Sequence, residues 1–241
     1  MPHFLIKNSE IKSNHIELCD ENTLFHITKV RRVKIGEKIK FIDEAHNVYD
    51  CKITEINKKS LLAEILSKNI SNRILKYDIS LIEAILAPDS QNLLIANATQ
   101  TGVKKIYPVV SDNVSYKASD DKIIKWQKIV SENFKQCERA DMAKVEDIAP
   151  LIGTIKKFKK ENVLIFSEKD VNISLNNSIK DIDKNSEIAI VIGPEGGFSE
   201  DEFEYFKKEN YKLISLGNMI YKAPNAVVAG VSNIVSRLDD E

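Results

Sequence analysis

A glycine-rich segment near the carboxyl end of the chain has the residue types that bind a small ligand through the backbone. Residues 192–199 read Ile-Gly-Pro-Glu-Gly-Gly-Phe-Ser, and they follow an apolar, β-branched run at 188–192. Such a run predicts a strand that is buried on both faces of a parallel sheet. A glycine loop at the carboxyl end of that strand leaves its amides free for a ligand, because no side chain prevents close approach.

A helix is predicted to begin directly after this loop. Ser199 and Glu202 have the spacing of a capping box, and Phe203 and Phe206 supply an apolar face to the turns that follow. Residues 193–198 therefore form a strand-to-helix loop. The loop lacks both the Gly-Lys-Ser/Thr ending of a phosphate-binding loop and the spacing of a dinucleotide fingerprint, so neither ATP nor NAD is favoured. A purely structural tight turn remains the alternative.

A second glycine occupies the same position relative to its own strand. Gly217 follows the strand predicted at 212–216, as Gly193 follows the strand at 188–192. Two glycines at strand ends imply two backbone loops that face one pocket. Gly230 lies inside the last predicted helix, where glycine costs about 1 kcal/mol relative to alanine. Its presence predicts close packing of that helix.

The chain beyond residue 76 alternates strands with helices. Strands are predicted at 77–86, 104–110, 163–166, 188–192 and 212–216, and helices at 90–101, 120–137 and 225–238. This alternation is typical of a mostly parallel sheet with helices on both faces, an α/β fold. The polar segment 69–76 predicts a linker, so the predicted domains are residues 1–72 and 73–241.

The first domain has the short, alternating pattern of a small β barrel. Strands are predicted at 4–6, 16–18, 38–43, 48–53 and 61–65, with a helix at 22–29. Six basic residues against one acid lie between Lys29 and Lys40. Arg31 and Arg32 are candidate RNA contacts because guanidinium groups match phosphate oxygens, and Lys29 is a candidate as a further cation of the same run, while a solvated surface is the alternative. Arg139, at the end of the helix at 120–137, could reach an anion or pair with a neighbouring carboxylate.

The composition narrows the classes of protein to which the chain can belong. The chain has 241 residues, 43% of them hydrophobic, and a formal net charge of -1, which suits a two-domain globular protein. Cys19, Cys51 and Cys137 lie far apart, which argues against a disulfide framework and against a zinc site. No apolar run approaches membrane-spanning length. We therefore expect a cytoplasmic protein with no metal and no membrane contact.

Several segments carry a family resemblance. They are Leu-Ile-Glu-Ala-Ile-Leu-Ala at 81–87, Thr-Gly-Val-Lys-Lys-Ile-Tyr-Pro at 101–108, Gln-Cys-Glu-Arg at 136–139, the glycine segment at 192–199 and Ser-Leu-Gly-Asn-Met-Ile at 215–220. Together they resemble the bacterial ribosomal RNA small subunit methyltransferase E family of the SPOUT superfamily. The segment His-Ile-Thr-Lys-Val-Arg-Arg at 26–32 looks like the PUA-like barrel of that family.

The resemblance implies a homodimer that uses S-adenosylmethionine to methylate N3 of a uridine in 16S rRNA of the small ribosomal subunit. It also implies a SPOUT-type sheet with a carboxyl-terminal trefoil knot. By position, it implies cofactor contacts at Leu164, Phe166, Ile192, Gly193, Glu195, Gly196, Gly197, Leu216, Gly217 and Ile220. Lys222 and Asn225 are then the candidate catalytic residues, with Lys29, Arg31, Arg32 and Arg139 as RNA contacts.

The candidate catalytic segment departs from the family pattern. Where members carry Arg-x-Leu-Arg-x-Glu-Thr-Ala, this chain has Met219, then Lys222 at an arginine position, Pro224 at the glutamate and Asn225 at the threonine. Three interpretations follow from that departure. The chain is an active uridine methyltransferase, a relative that binds cofactor and rRNA in subunit assembly without chemistry, or a methyltransferase for another RNA site.

Overall fold

The structure is a computed structural model that describes residues 3–240, without the side chain of Asp240. The chain divides into two compact units. One unit comprises Met1–Ile74 with Phe134–Asp141, and the other comprises Leu75–Asn133 with Met142–Glu241. No helix in the described part of the chain is both long enough and apolar enough to cross a bilayer.

The first unit is built on a five-stranded sheet. Its strands are β1 (His3–Leu5), β2 (His15–Leu18), β3 (Lys38–Ile42), β4 (Asn47–Ile56) and β5 (Leu61–Ile70), in the order β1, β3, β4, β5, β2. β1 is parallel to β3, and the other neighbours are antiparallel. The buried residues alternate along the strands, as the period-two pattern predicts, and include Ile16, Leu18, Ile39, Phe41, Leu61 and Ala63. The β architecture predicted for this part of the chain, a small barrel, is confirmed as one five-stranded sheet.

Two details of this unit differ from the prediction. The first helix is shorter than expected, because α1 spans Glu21–Phe25 and the chain continues as one π-helical turn over His26–Val30. Strand β5 also runs further, to Ile70, so the start of the predicted linker is still paired with β4. Asn69 pairs with Val48 there. The end of β5 is exposed, and the ladder with β4 rather than burial keeps it extended, which the polar sequence does not reveal.

The second unit is built on a parallel sheet. Its strands are β6 (Ile79–Ala84), β7 (Lys105–Val110), β8 (Lys144–Val145), β9 (Ala149–Pro150), β10 (Val163–Phe166), β11 (Ile188–Ile192) and β12 (Lys212–Ile214). The order is β12, β10, β11, β6, β7, β8, and β9 pairs with β7. All of these pairs are parallel. Every residue of β11 is buried, as its unbroken apolar sequence predicts.

Helices cover both faces of this sheet, which confirms the predicted α/β class. They are α2 (Pro88–Gln100), α3 (Asp121–Cys137), α4 (Leu151–Ile155), α5 (Leu175–Ser178), α6 (Glu200–Lys208) and α7 (Ala223–Asp240). Residues from α2, α3 and α7 share one core with the sheet, and residues from α4 and α6 share the other. Alternate strand residues supply the two cores: Ile190 belongs to the first and Val191 to the second.

Candidate functional site

Three adjacent parallel strands end at the same level of the sheet. β10 lies between β12 and β11, and its last residue, Phe166, is paired with Ile192 of β11 and with Ile214 of β12. The three loops that follow these strands therefore leave the sheet side by side at its carboxyl edge, where open parallel sheets bind ligands. Gly193 and Gly217 lie on the two outer loops of these three. The two glycines at strand ends therefore mark loops on either side of the loop that follows β10.

The loop between β11 and α6 is a tight turn that packs on aromatic rings. The amide of Gly197 donates to the carbonyl of Pro194 (2.9 Å), and Gly197 has a φ of 73°, a left-handed conformation that favours glycine. The ring of Phe198 lies against Gly193, where an added Cβ would stand 3.1 Å from it. Phe198 also packs edge-on against Phe206 of α6, with centroids 5.2 Å apart. The loop shape therefore depends on glycine at two positions.

Glu202 joins this loop, helix α6 and the segment after β7. The predicted capping box is present: the N–H of Glu202 donates to Ser199 Oγ (3.1 Å), and the N–H of Ser199 donates to Glu202 Oε2 (2.8 Å). The same buried carboxylate of Glu202 accepts hydrogen bonds from the hydroxyl of Ser111 (2.8 Å) and from the backbone amide of Asp112 (3.1 Å). Asn113 Nδ2 then donates to the carbonyl of Gly197 (3.1 Å).

The segment between β6 and α2 meets the glycine loop through Glu195. The amide of Ala87 donates to Glu195 Oε1 (3.2 Å). In the same segment, Gln91 Nε2 donates to the fully buried carboxyl of Glu83, and Gln91 Oε1 accepts from the amide of Leu86 (2.9 Å). Burial, with the nearby charge of Glu195 adding to it, raises the pKa of Glu83 well above its usual value. The protonated form of Glu83 is therefore favoured.

The loop between β12 and α7 is exposed. Ser215 Oγ accepts from the amide of Gly217 (3.0 Å) and donates to its carbonyl (2.9 Å), which folds the loop back on itself. Gly217 has a φ of 108°, which other residues rarely adopt. Met219 and Ile220 follow with 70% and 76% of their surfaces exposed. Two large apolar side chains therefore stand in solvent beside the strand ends.

Helix α7 begins at the end of this loop. The carbonyl of Lys222 accepts from the amides of Asn225 (2.8 Å) and Ala226 (2.9 Å), so Lys222 is the residue that precedes the helix. Asn97 of α2 fixes this start, because its Nδ2 donates to the carbonyl of Pro224 (2.8 Å). Lys222 and Asn225 are both exposed. They stand at the positive end of the helix dipole, where negative charge is stabilised.

The residues proposed to contact a cofactor differ in exposure. Leu164 is fully buried and Phe166 and Ile192 nearly so, whereas Glu195 is exposed. The ring of Phe166 packs against helix α7 at Gly230, where an added Cβ would lie 2.6 Å from a ring carbon. The close helix packing predicted at Gly230 is confirmed. The exposed loop residues, rather than Leu164, are therefore the ones that a ligand can touch in this conformation.

The candidate RNA contacts of the first unit are exposed. Lys29 lies in the π-helical turn, and Arg31 and Arg32 follow it. The guanidinium of Arg31 is 6.0 Å from the centre of the Phe4 ring, and Arg32 has a left-handed φ of 53°. These exposed cations are available to phosphate groups.

Arg139 is in a different environment. Only 5% of its surface is exposed, and its Nη2 and Nε lie 2.9 Å and 3.2 Å from the two carboxylate oxygens of Asp141. The sequence leaves two roles open for Arg139, contact with an anion or a pair with a neighbouring carboxylate. The structure shows the pair. An RNA contact by Arg139 stays a prediction.

Three residues of the site are not among those predicted from the sequence, namely Glu83, Ser111 and Asn113. Glu83 carries a signal that could have identified it, since it is the one acid within the apolar run at 79–86, and a carboxyl in a doubly buried strand must be neutral or paired. Ser111 and Asn113 carry no such signal, because their partners follow a different strand. Within residues 3–240 no group of three or more His, Cys, Asp or Glu side chains is arranged to hold a metal.

The sequence is similar to those of known RNA methyltransferases. Residues 73–235 match the family model of the RNA methyltransferase domain, and residues 18–66 match that of the RNA methyltransferase PUA domain. The ribosomal RNA small subunit methyltransferase E of Rickettsia conorii is 28% identical over 232 residues, covering 94% of this chain and 92% of the relative. That of Mesomycoplasma hyopneumoniae is 33% identical over 172 residues, covering 69% and 73%.

The fold has a similar counterpart among solved structures. A crystal structure of a ribosomal RNA small subunit methyltransferase E from Neisseria gonorrhoeae, bound to S-adenosyl methionine, superposes with a TM-score of 0.85. The two sequences are 25% identical, and the match covers 98% of this chain and 97% of the other. Both units of the present chain are therefore included in the match.

Proposed function

Because the chain belongs to the ribosomal RNA small subunit methyltransferase E family, we propose that it transfers a methyl group from S-adenosylmethionine to N3 of a uridine in 16S rRNA. The observation that carries this proposal is the alignment of Phe166, Ile192 and Ile214 at one level of the sheet. It brings together the three loops proposed to hold the methyl donor.

The loops suit this cofactor chemically. S-adenosylmethionine has a neutral adenosine and a cationic sulfur, so backbone donors and acceptors with a nearby carboxylate are sufficient to bind it. Among the described residues, the exposed backbone of Gly196 forms no hydrogen bond and so offers a donor and an acceptor, while the amides and carbonyls of Gly197 and Gly217 already have partners within the protein. The exposed Glu195 offers the carboxylate. When bound, the cofactor supplies an electrophilic methyl group. No metal is needed for that chemistry.

Residues at the start of α7 are proposed to prepare the uridine. N3 of uracil carries a proton at neutral pH, so the base must lose it to become a nucleophile, and negative charge then spreads onto the adjacent oxygens. The ammonium of Lys222 and the positive end of α7 stabilise that charge, and the amide of Asn225 holds the base by a hydrogen bond. The N3 proton passes to water, which leaves N3 as the nucleophile, and the leaving group of the methyl transfer would be S-adenosylhomocysteine.

Exposed apolar residues support the predicted homodimer. Met219 and Ile220, together with Leu93 of α2 (51% exposed) and Val228 of α7 (39% exposed), provide apolar surface on connected elements. The bond from Asn97 to Pro224 places α2 beside the start of α7. A patch of this kind suits burial against a second copy of the chain. Sedimentation of the purified protein at micromolar concentration tests it, with a monomer as the contrary result.

The other parts of the proposal rest on family membership. They are an amino-terminal PUA-like RNA-binding domain over residues 1–72, a methyltransferase domain over 73–241 with a carboxyl-terminal trefoil knot, and action in the cytoplasm, where ribosomal subunits are made. Lys29, Arg31 and Arg32 are the proposed RNA anchors of the first domain. Their exposure supports that role.

The experiment is a methyl-transfer assay. Purified protein, radiolabelled S-adenosylmethionine and small ribosomal subunits from cells without the modification are combined, and modified nucleosides are identified by mass spectrometry. We expect N3-methyluridine at one position of 16S rRNA. Methylation of another base or another RNA would overturn the proposed substrate.

A second candidate function is binding without chemistry. The observation that favours it is the exchange of residues at the start of α7, where Pro224 and Asn225 stand in place of glutamate and threonine of the family pattern. Such a protein would bind cofactor and small-subunit RNA in assembly. No methyl transfer, with calorimetric binding of S-adenosylmethionine intact, would identify this function.

A further inference from the structure

A short arch after β7 holds an aromatic ring in solvent. Val114 and Ala118 are partly buried against the core of the second unit, whereas the three residues between them are exposed. The middle one, Tyr116, is 45% exposed, and its hydroxyl forms no hydrogen bond with any residue of the described range 3–240. The arch is fixed at both ends, so Tyr116 is presented on a constrained segment rather than on a free loop.

The arch begins beside the glycine loop. Asn113 Nδ2 donates to the carbonyl of Gly197 (3.1 Å), and a Cβ at Gly196 would stand 3.5 Å from Asn113 Cβ. Ser199 Oγ also donates to a carboxylate oxygen of Asp112 (2.6 Å). Since Tyr116 is three residues beyond Asn113, its Cα is no further than roughly 10 Å from the Cα of Asn113. The backbone of Tyr116 therefore lies close to the proposed methyl-donor loops.

A row of lysines continues from the arch along helix α3. Lys117 lies on the arch, and Lys122, Lys125 and Lys128 follow at intervals of three on α3, all exposed. In the described part of the chain, only Lys122 of these four forms an ion pair, with Asp121 at 3.6 Å. Two aspartates stand at the start of the helix, Asp120 directly before it and Asp121 as its first residue, and the positive end of the helix dipole explains their position. The row beyond them is basic.

An exposed ring followed by exposed cations is the chemistry of single-stranded nucleic acid binding. Bases stack on aromatic faces, and lysines contact the phosphates between them. We propose that Tyr116 stacks on an unpaired nucleotide adjacent to the methylated one, and that Lys117 and Lys125 contact its flanking phosphates. The inference rests on the proposed function, since it assigns a second RNA surface, in the methyltransferase unit, to the same substrate.

The test measures RNA affinity and S-adenosylmethionine binding for each variant, and methyl transfer for the wild type. Full-length wild-type, Tyr116→Ala, Tyr116→Phe and Lys117→Ala/Lys125→Ala proteins are titrated with a fluorescent single-stranded oligonucleotide of the mapped methylation region at several salt concentrations. Lys180→Ala is the matched control, because this exposed lysine precedes β11 at the opposite edge of the sheet. S-adenosylmethionine binding is measured by calorimetry for every protein.

We expect Tyr116→Ala to weaken RNA binding by about 10-fold, with Tyr116→Phe close to wild type, because stacking needs the ring and not the hydroxyl. The double lysine variant should lower the slope of log affinity against log salt by about 1.4, or about 0.7 for each phosphate contact. Cofactor binding and the control should not change. Wild-type RNA affinity in both Tyr116→Ala and the lysine variant overturns this inference alone, whereas absence of methyl transfer by wild type overturns the proposed function.

Discussion

The side-chain amide of Gln91 in α2 donates a hydrogen bond to the carboxyl of Glu83 in β6, and this carboxyl is fully buried. The other oxygen of Glu83 has no hydrogen-bond partner among the described residues. Gln91 also accepts from the amide of Leu86, so the pair fixes the turn that leads to Ala87 and Glu195. A titratable group thus supports the segment beside the glycine loop.

This burial makes stability depend on pH through Glu83. The folded state raises the pKa of Glu83 well above its usual value of 4.5, so it holds a proton that the unfolded chain releases at neutral pH. The contribution of Glu83 to stability is therefore complete below about pH 4.5 and falls as the pH rises towards the folded pKa. Glu83→Gln cannot ionise, so we expect its free energy of unfolding to rise relative to wild type between pH 5 and pH 8.

Urea unfolding across that pH range measures the effect. The exposed Glu132→Gln, which removes one carboxylate from the surface of α3, is the control and should follow the wild-type pH dependence. Parallel curves for Glu83→Gln and wild type would show that Glu83 does not titrate in the core.

The contact of Phe166 with Gly230 predicts opposite effects for two glycine substitutions. A Cβ at Gly230 would be 2.6 Å from the Phe166 ring, so Gly230→Ala must displace that nearly buried ring and should destabilise the protein by about 1–3 kcal/mol despite better helix propensity. Gly153 in α4 has no atom within 4 Å of its added Cβ, so Gly153→Ala should stabilise by about 0.4–1 kcal/mol. Denaturant unfolding measures the change in the free energy of unfolding for each variant. A change of the same sign in both would contradict the close contact of Phe166 with Gly230.

The strands that carry the loops of the site can be predicted from the sequence, whereas the residues that hydrogen-bond to those loops cannot. β10 and β11 match the predicted residues because each is an apolar run that turn signals end. The short elements β8, β9 and α4 have two to five residues, which is too few for a period to appear. The bond from Ser111 to Glu202 joins residues 91 positions apart, and only the sheet order brings them together.

Glu202 should matter for both stability and ligand binding. Glu202→Ala removes the acceptor of the Ser199 amide and of the Ser111 hydroxyl in a buried place, so we expect a loss of about 1–3 kcal/mol. The glycine loop also loses its tie to the segment after β7, and affinity for S-adenosylmethionine should fall. Glu204→Ala, exposed on the same helix, is the control for both measurements. If Glu204→Ala also weakened S-adenosylmethionine binding, the role assigned to Glu202 in holding the glycine loop would be wrong.

The Arg139 pair distinguishes a structural role from an RNA contact. Asp141→Ala leaves the guanidinium of Arg139 buried without this carboxylate, so thermal or urea unfolding should show a loss of about 3 kcal/mol. Arg73→Ala breaks a surface pair with Glu138, in which the Arg73 side chain is 60% exposed, and should cost less than about 1 kcal/mol. If Arg139→Ala lowered RNA affinity and left stability unchanged, Arg139 would instead act on RNA.

Lys222 tests whether the altered segment at the start of α7 still supports chemistry. Its ammonium stands at the positive end of the helix, so Lys222→Ala removes a cation from the place where negative charge is proposed to develop on uracil. We expect kcat for methyl transfer to fall by about 100-fold, the usual effect of removing one such group. Lys222→Arg keeps a cation and should retain most of the activity, since Lys222 is exposed and has room for a larger head group.

The measurement must separate the chemical step from binding. Single-turnover methyl transfer gives the rate, and calorimetry gives the affinity for S-adenosylmethionine, which Lys222→Ala should leave within about twofold because its charge is proposed to face the base. Lys208→Ala, exposed on α6, is the matched control. An unchanged rate in Lys222→Ala would assign the stabilisation of the uracil anion to the helix dipole without the side chain, because the amides at the start of α7 remain in that variant.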